Sequence, residues 1–188
     1  MAGRYVFDFS EGGMEQLALL GGKGANLAEM TRLGLPVPPG FTITTEACRE
    51  YLASGEAPAA LRFEVTLAMR RLEDLVGRRL GDVQDPLLVS VRSGARFSMP
   101  GMMDTVLNVG LNDLSVLALA EASGDERFAW DSYRRLVQMF AKTVLGMDAS
   151  VFAGALDGAK ATKGAVSDLE LDAADLHKLC LLYTSRCV

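Results

Sequence analysis

Pro86-Leu-Leu-Val-Ser-Val-Arg92, continued by Ser93-Gly-Ala-Arg-Phe-Ser-Met-Pro-Gly-Met-Met-Asp-Thr105, is the stretch on which the fold turns. Its first half is β-branched and mostly apolar, which suits a buried strand. A period of two sets Leu87, Val89 and Val91 on one face and Leu88, Ser90 and Arg92 on the other. Arg92 therefore stands where the strand runs out. Ligands of open α/β sheets lie beyond the carboxyl ends of strands. A guanidinium there offers a planar fork of donors that matches phosphate oxygens. The competing reading is a strand-end arginine paired to a carboxylate. The loop that follows holds three methionines between Ser98 and Thr105, an odd choice for a solvated loop. It is either a mobile cover over a flat ligand or a loop that tucks its methionines into its own core. A second short strand is expected over residues 105–109.

Upstream, helical spacing of Leu27, Met30 and Leu33 predicts a helix over 23–33, stopped by Gly34 and Pro36. Phe41 to Thr44 alternates like a short strand, and Thr45 is placed to cap a helix over 46–53 that Gly55 ends. Residues 59–76 read as an amphipathic helix, with Leu61, Val65, Met69, Leu72 and Val76 in one stripe. The helix at 23 is entered through Leu20-Gly-Gly-Lys-Gly-Ala-Asn26. Glycines let backbone N–H groups approach a ligand, and a helix start adds donors and partial positive charge suited to phosphate. Known phosphate patterns do not fit, however. A Walker A loop needs Gly at position 17 and Ser or Thr at 24, where Leu and Gly stand; a dinucleotide fingerprint needs Gly at Leu27. The bland alternative is a flexible turn with a solvated lysine.

Downstream the pattern becomes helical: residues 113–122 ending at Gly124, residues 126–145 with Phe128, Leu136, Phe140 and Val144 on one face, residues 149–156, and a last helix from near Asp172. The chain thus divides into a mixed α/β lobe, 1–112, and a helical lobe, 113–179. Cys180-Leu-Leu-Tyr-Thr-Ser-Arg-Cys-Val188 loses the helical pattern and holds two of the three cysteines. Residues 180–188 are read as a non-native tail, against a frayed natural terminus.

Composition excludes several classes. With 188 residues, 49% hydrophobic, 23% charged and a net charge of −5, the chain reads as a globular protein rather than a nucleic-acid binder. No signal peptide and no membrane-spanning run is read. Cys48, Cys180 and Cys187 lack any CxxC spacing, so reduced thiols in a cytoplasm are expected, with no zinc site. His177 is the single histidine and is read as a surface residue, as are Arg134 and Arg135.

These motifs, in this order, resemble the N-terminal region of the pyruvate, phosphate dikinases. The likeness is carried by Leu20–Cys48 and by Leu88–Leu114, runs without interruption, and extends from about Arg4 to Leu179. Phosphoenolpyruvate synthases and antibiotic-phosphorylating dikinases share the glycine turn more loosely, but the methionine loop is like that of the phosphate-utilising enzymes. A related dikinase and a non-catalytic nucleotide- or partner-binding module remain the alternatives.

The resemblance implies an α/β fold: the first lobe of an ATP-grasp-type nucleotide-binding domain, followed by a helical lobe. Lys23 and Arg92 match the family's ATP-phosphate-contacting lysine and arginine and are the catalytic candidates. Gly22, Lys23, Gly24, Arg92, Arg96, Ser98, Gly101, Met103, Asp104 and Thr105 form the implied ATP-binding set. Arg135 matches a residue implicated in docking a swivelling domain. ATP and phosphate are the implied small-molecule partners. Magnesium ligands, the phosphocarrier histidine and the pyruvate-binding barrel are expected in parts of the enzyme outside this sequence. The full-length enzyme is expected to be a cytoplasmic homo-oligomer, and this portion inactive alone.

Overall fold

A computed structural model describes residues 3–94 and 105–187, with the side chains of 186 and 187 excepted. The chain divides into two compact units, residues 1–77 with 93–103 and residues 78–92 with 104–188. Among the described residues the architecture is mixed α/β, with seven α-helices and three two-stranded sheets.

In the first unit β1 (Val6–Asp8) pairs antiparallel with β2 (Phe41–Ile43), Val6 opposite Ile43 and Asp8 opposite Phe41. The helices α1 (Leu17–Arg32), α2 (Thr45–Ser54) and α3 (Leu61–Val76) complete it. Two small apolar clusters form. One joins Tyr5, Val6, Ala47 and Ala68, with Leu61 and Val65 against them; the other joins Leu20, Ala25 and Ala28, with Phe7 and Leu19 against them. So many alanines bring backbones close but bury little area, so polar ties carry much of the organisation. The Glu64 carboxylate accepts the N–H groups of Tyr5 (2.8 Å) and Val6 (3.0 Å), fastening β1 to α3. Arg71 donates both Nε and a terminal nitrogen to Asp8, at 2.8 and 3.1 Å.

The expected stripe on α3 holds at Leu61, Val65 and Leu72, joined by the buried Ala68, but Val76 is exposed at the helix end. The cap of α2 is one residue earlier than expected. Thr44, fully buried, accepts the Ala47 N–H at 3.4 Å, which frees the Thr45 hydroxyl for another partner.

In the second unit β3 (Arg79–Leu80) pairs parallel with β4 (Pro86–Leu87), and β5 (Val89–Arg92) pairs antiparallel with β6 (Thr105–Val109). The stretch expected to be one buried strand is therefore two. Pro86 and Leu87 are buried, whereas Val91 is 55% exposed and Ser90 and Arg92 are exposed too. The register slips between Val89 and Val91, which breaks the period-two alternation, and a two-stranded ribbon leaves a face of β5 uncovered.

Four helices follow: α4 (Ser115–Ser123), α5 (Glu126–Thr143), α6 (Ala149–Lys163) and α7 (Ala173–Cys187). One core unites them with the strands: Val106, Leu111, Val116, Trp130, Tyr133, Leu136, Phe152, Leu171, Leu176, Leu179, Cys180 and Tyr183. Val106 and Leu111 precede the expected lobe boundary at 112, yet they pack with the helices. The pattern of secondary structure changes at 112; the packing changes at 77/78.

The structure differs from the sequence expectation at three places in the helices. The buried arc of α5 is Ala129, Trp130, Tyr133, Leu136 and Ala141, while Phe128, Phe140 and Val144 are 43–57% exposed. Arg134 lies in that arc, only 3% exposed, with Nε and a terminal nitrogen on Asp131 (2.9 and 2.7 Å) and the other terminal nitrogen on Gln138 (3.1 Å). A buried guanidinium persists only when its donors are matched in this way. Third, the change of composition at Cys180 does not end α7. Cys180 and Tyr183 are in the core, and the Tyr183 hydroxyl donates to the Phe152 carbonyl at 2.8 Å with its ring edge-on to Phe152.

Candidate functional site

Gly21 has φ 68° and ψ 170°, a conformation that glycine adopts without steric cost. It breaks α1 into a short turn from Leu17 and a longer segment that starts at Gly22. The sequence expectation of a turn opening a helix is met, one residue earlier than the helix start read at 23. The first N–H groups of a helix have no partner within it and carry partial positive charge. Gly22, Lys23 and Gly24 occupy that first turn. Lys23 is half-buried, and its Nζ donates to the Ser93 carbonyl at 3.4 Å, a long and weak contact. The Gly22 carbonyl accepts the Asn26 side-chain amide at 2.7 Å.

Gly24 differs from its neighbours. It is buried against β2, and a Cβ there would stand 2.7 Å from Thr42 Cγ2 and 2.9 Å from its Oγ1. Its lack of a side chain serves helix–strand packing. The other side of the kink has its own tie. The Thr45 hydroxyl donates to the Ala18 carbonyl at 2.7 Å. Neither role is expected from the sequence, in which Thr45 is placed as a cap and Thr42 only falls within a short alternating strand. The spacing Thr42-x-Thr-Thr45 is the one signal that marks them.

Arg92 ends β5 in the second unit, exposed, and stands opposite Thr105 on β6. Arg96, Ser98, Gly101, Met103 and Asp104 lie outside the described residues. Arg135 is exposed, its Nε on Asp131 Oδ2 at 2.8 Å, so Asp131 serves both Arg134 and Arg135.

Buried titratable groups of the second unit are shifted by their surroundings. Burial, with a hydrogen bond to Asp113 at 2.8 Å, holds the Tyr133 hydroxyl well above the usual phenol range. Burial pushes the Cys180 thiol up to about 12, far from the thiolate a nucleophile needs. His177, on the exposed side of α7, stacks on Trp130 with ring centres 4.1 Å apart. Among the described residues no group of His, Cys, Asp and Glu stands together as a metal site, and no helix is long and apolar enough to cross a membrane. The concavities among the described residues include a groove of about 510 Å³ beside Val83, Leu114 and Leu117 and a pocket of about 180 Å³ beside Asp8, Pro39 and Leu75. Neither includes the glycine turn.

The lysine-bearing glycine turn lies within residues 17–66, which match the family described as pyruvate phosphate dikinase, AMP/ATP-binding domain. The chain is 55% identical over 185 residues to the pyruvate, phosphate dikinase of Rhizobium meliloti (strain 1021), covering 96% of this chain and 21% of that protein. It is 51% identical over 177 residues to the enzyme of Clostridium symbiosum, covering 94% and 20%, and 53% identical over 183 residues to the chloroplastic pyruvate, phosphate dikinase 1 of Oryza sativa subsp. japonica, covering 95% and 19%. The chain belongs to the pyruvate, phosphate dikinase family. It spans about a fifth of the length of these relatives.

Proposed function

We propose that this chain is the ATP-phosphate-binding portion of a pyruvate, phosphate dikinase, built as the first lobe of an ATP-grasp-type domain. The whole enzyme would convert ATP, phosphate and pyruvate to AMP, pyrophosphate and phosphoenolpyruvate. The observation that carries the reading is the helix start at Gly22, with Lys23 in its first turn, inside the residues that match the AMP/ATP-binding family. Phosphoryl transfer is mostly positioning and charge stabilisation, so backbone N–H groups, a lysine and an arginine are apt parts. Lys23 and Arg92 contact ATP phosphates in this reading. Gly22 and Gly24 supply N–H groups, and Arg96, Ser98, Gly101, Met103, Asp104 and Thr105 belong to the phosphate-covering loop.

The chemistry beyond binding is assigned to the rest of the enzyme. The magnesium ligands, the phosphorylated histidine and the pyruvate site belong to the four-fifths of the relatives' length outside this chain. His177, stacked on Trp130 with no glycine-rich surroundings, has no part in phosphate transfer. The parent enzyme is a homo-oligomer in this reading. Cytoplasmic residence rests on the free Cys48 and Cys180.

Titration of the chain with ATP, followed by amide NMR, tests the reading. Millimolar binding centred on Gly22 to Gly24 is expected, with no AMP formed on prolonged incubation with phosphate and pyruvate. Lys23→Ala should weaken binding about tenfold, the worth of one charge-assisted hydrogen bond. Micromolar binding with magnesium, or an unchanged affinity in Lys23→Ala, would contradict it.

A further inference from the structure

The kink at Gly21 has two hydroxyl-bearing neighbours that are not ligand groups. On its N-terminal side Thr45 Oγ1 holds the Ala18 carbonyl at 2.7 Å, a bond across 27 residues of chain. On its C-terminal side Thr42 fits into the space left by Gly24. Thr45 is the first residue of α2, and Thr44, its neighbour, is buried and occupied as the helix cap. The start of α2 is thereby fixed in place, and Thr45 transmits that fixed position to the short turn from Leu17. Thr45 also faces the kink itself, since its Cγ2 stands 3.9 Å from where a Cβ on Gly21 would lie. With both segments of α1 held, the Gly21 backbone has little freedom, and the direction of the Gly22, Lys23 and Gly24 N–H groups is set by what flanks them.

We infer that Thr45 is a positioning residue for the glycine turn: its hydroxyl, through Ala18, keeps the first-turn N–H groups of the Gly22 segment aimed at a nucleotide phosphate. This inference rests on the proposed ATP-phosphate role of that turn. Preorganised donors bind a charged group without reorganising at the moment of contact, so loosening the turn lowers affinity even where folding is intact. Valine keeps the shape of threonine and removes the donor; serine keeps the donor and removes a methyl.

The test is ATP titration by amide NMR on the intact chain, in wild type and in the Lys23→Ala, Thr45→Val, Thr45→Ser and Thr66→Val variants. Thr66→Val is the control, because Thr66 donates to the Arg62 carbonyl at 2.8 Å on the exposed face of α3, a like bond unrelated to the turn. Thr45→Val is expected to weaken ATP binding roughly three- to tenfold, the range for one net hydrogen bond. Thr45→Ser should bind as wild type, and Thr66→Val should leave affinity unchanged. The Gly22 to Gly24 amide resonances should shift in ligand-free Thr45→Val and not in Thr66→Val. If Lys23→Ala weakens binding while Thr45→Val equals wild type, the positioning role is overturned and the phosphate reading stands. If Lys23→Ala binds as wild type, the phosphate reading fails and takes this inference with it. If Thr45→Ser is as weak as Thr45→Val, the hydroxyl is not the cause, and the inference is overturned.

Discussion

At Gly24 the balance between backbone propensity and packing can be measured directly. Alanine in a helix interior is favoured over glycine by about 1 kcal/mol. Here the added methyl would come 2.7 Å from Thr42 Cγ2, and overpacking of this kind costs about 1–3 kcal/mol. Gly24→Ala is therefore expected to lower the melting temperature. Thr42→Ala removes the two closest atoms, so in that background Gly24→Ala should raise it, with helix propensity then opposed only by the milder approach to Leu20 Cβ at 3.3 Å. Thermal unfolding of the two single variants and the double variant reads this sign change. A stabilising Gly24→Ala with Thr42 in place would show that α1 and β2 do not approach so closely. In the sequence Gly22 and Gly24 look alike, each one residue from Lys23. What separates them is a threonine on a strand 18 residues away from Gly24, and no local pattern carries that information. Gly21, by contrast, was legible as a break, because a glycine pair before a helical stretch is itself a start signal.

The joint between α6 and α7 shows what an element's ends hold. Lys163, in the last turn of α6, reaches both Asp172 (2.5 Å) and Asp175. Asp172 precedes α7 and accepts the Asp175 N–H at 3.0 Å, while the Asp175 carboxylate accepts the Asp172 N–H at 3.2 Å. Lys163, and then the backbone N–H of Asp175, hold the Asp172 carboxyl down at about 2. The folded value lies below the unfolded one, roughly 3.9. Ionised Asp172 therefore contributes stability above about pH 4, and the contribution is lost as pH falls towards 2. Lys163→Met should raise the Asp172 midpoint towards its unfolded value, as read by carboxyl carbon NMR; an unmoved midpoint would refute the attribution. The start of α7 was legible because an aspartate opening an apolar-periodic stretch is a cap signal. The length of α6 was not: the expected helix stops at 156, although the helix runs on through Gly158 to Lys163. Nor was the buried face of α5. Phe128, Phe140 and Val144 look like a core stripe by hydrophobicity, but the face that meets α4, α7 and β6 is the one carrying Trp130, Tyr133 and the matched Arg134. Hydrophobicity alone does not rank a satisfied arginine above an exposed phenylalanine.

At the scale of the whole chain, sequence pattern and packing divide the molecule differently, and the difference decides what can fold alone. Mixed α/β sequence gives way to helical sequence at about residue 112. The core of the second unit nevertheless takes Val106 from β6 and Leu111 from the turn after it, both at least nine-tenths buried, alongside residues of α4, α5, α6 and α7. Each such side chain is worth roughly 1.5–3 kcal/mol on burial. Removing two of them, with the β5–β6 ribbon that lies on α5, takes away an amount comparable to the net stability of a small domain. A chain of residues 78–188 is therefore expected to unfold in one cooperative transition in urea, followed by the fluorescence of Trp130, the single tryptophan. A chain of residues 113–188, cut where the pattern changes, should show a broad transition with a reduced denaturant slope, because its exposed helix faces have lost their cover. Equal midpoints and slopes for the two chains would place the boundary at 112 and remove β3–β6 from the helical core. A cooperative 78–188 beside a non-cooperative 113–188 would make the strands part of that core's fold, and would put Arg92, at the end of β5, on a frame that the helices hold.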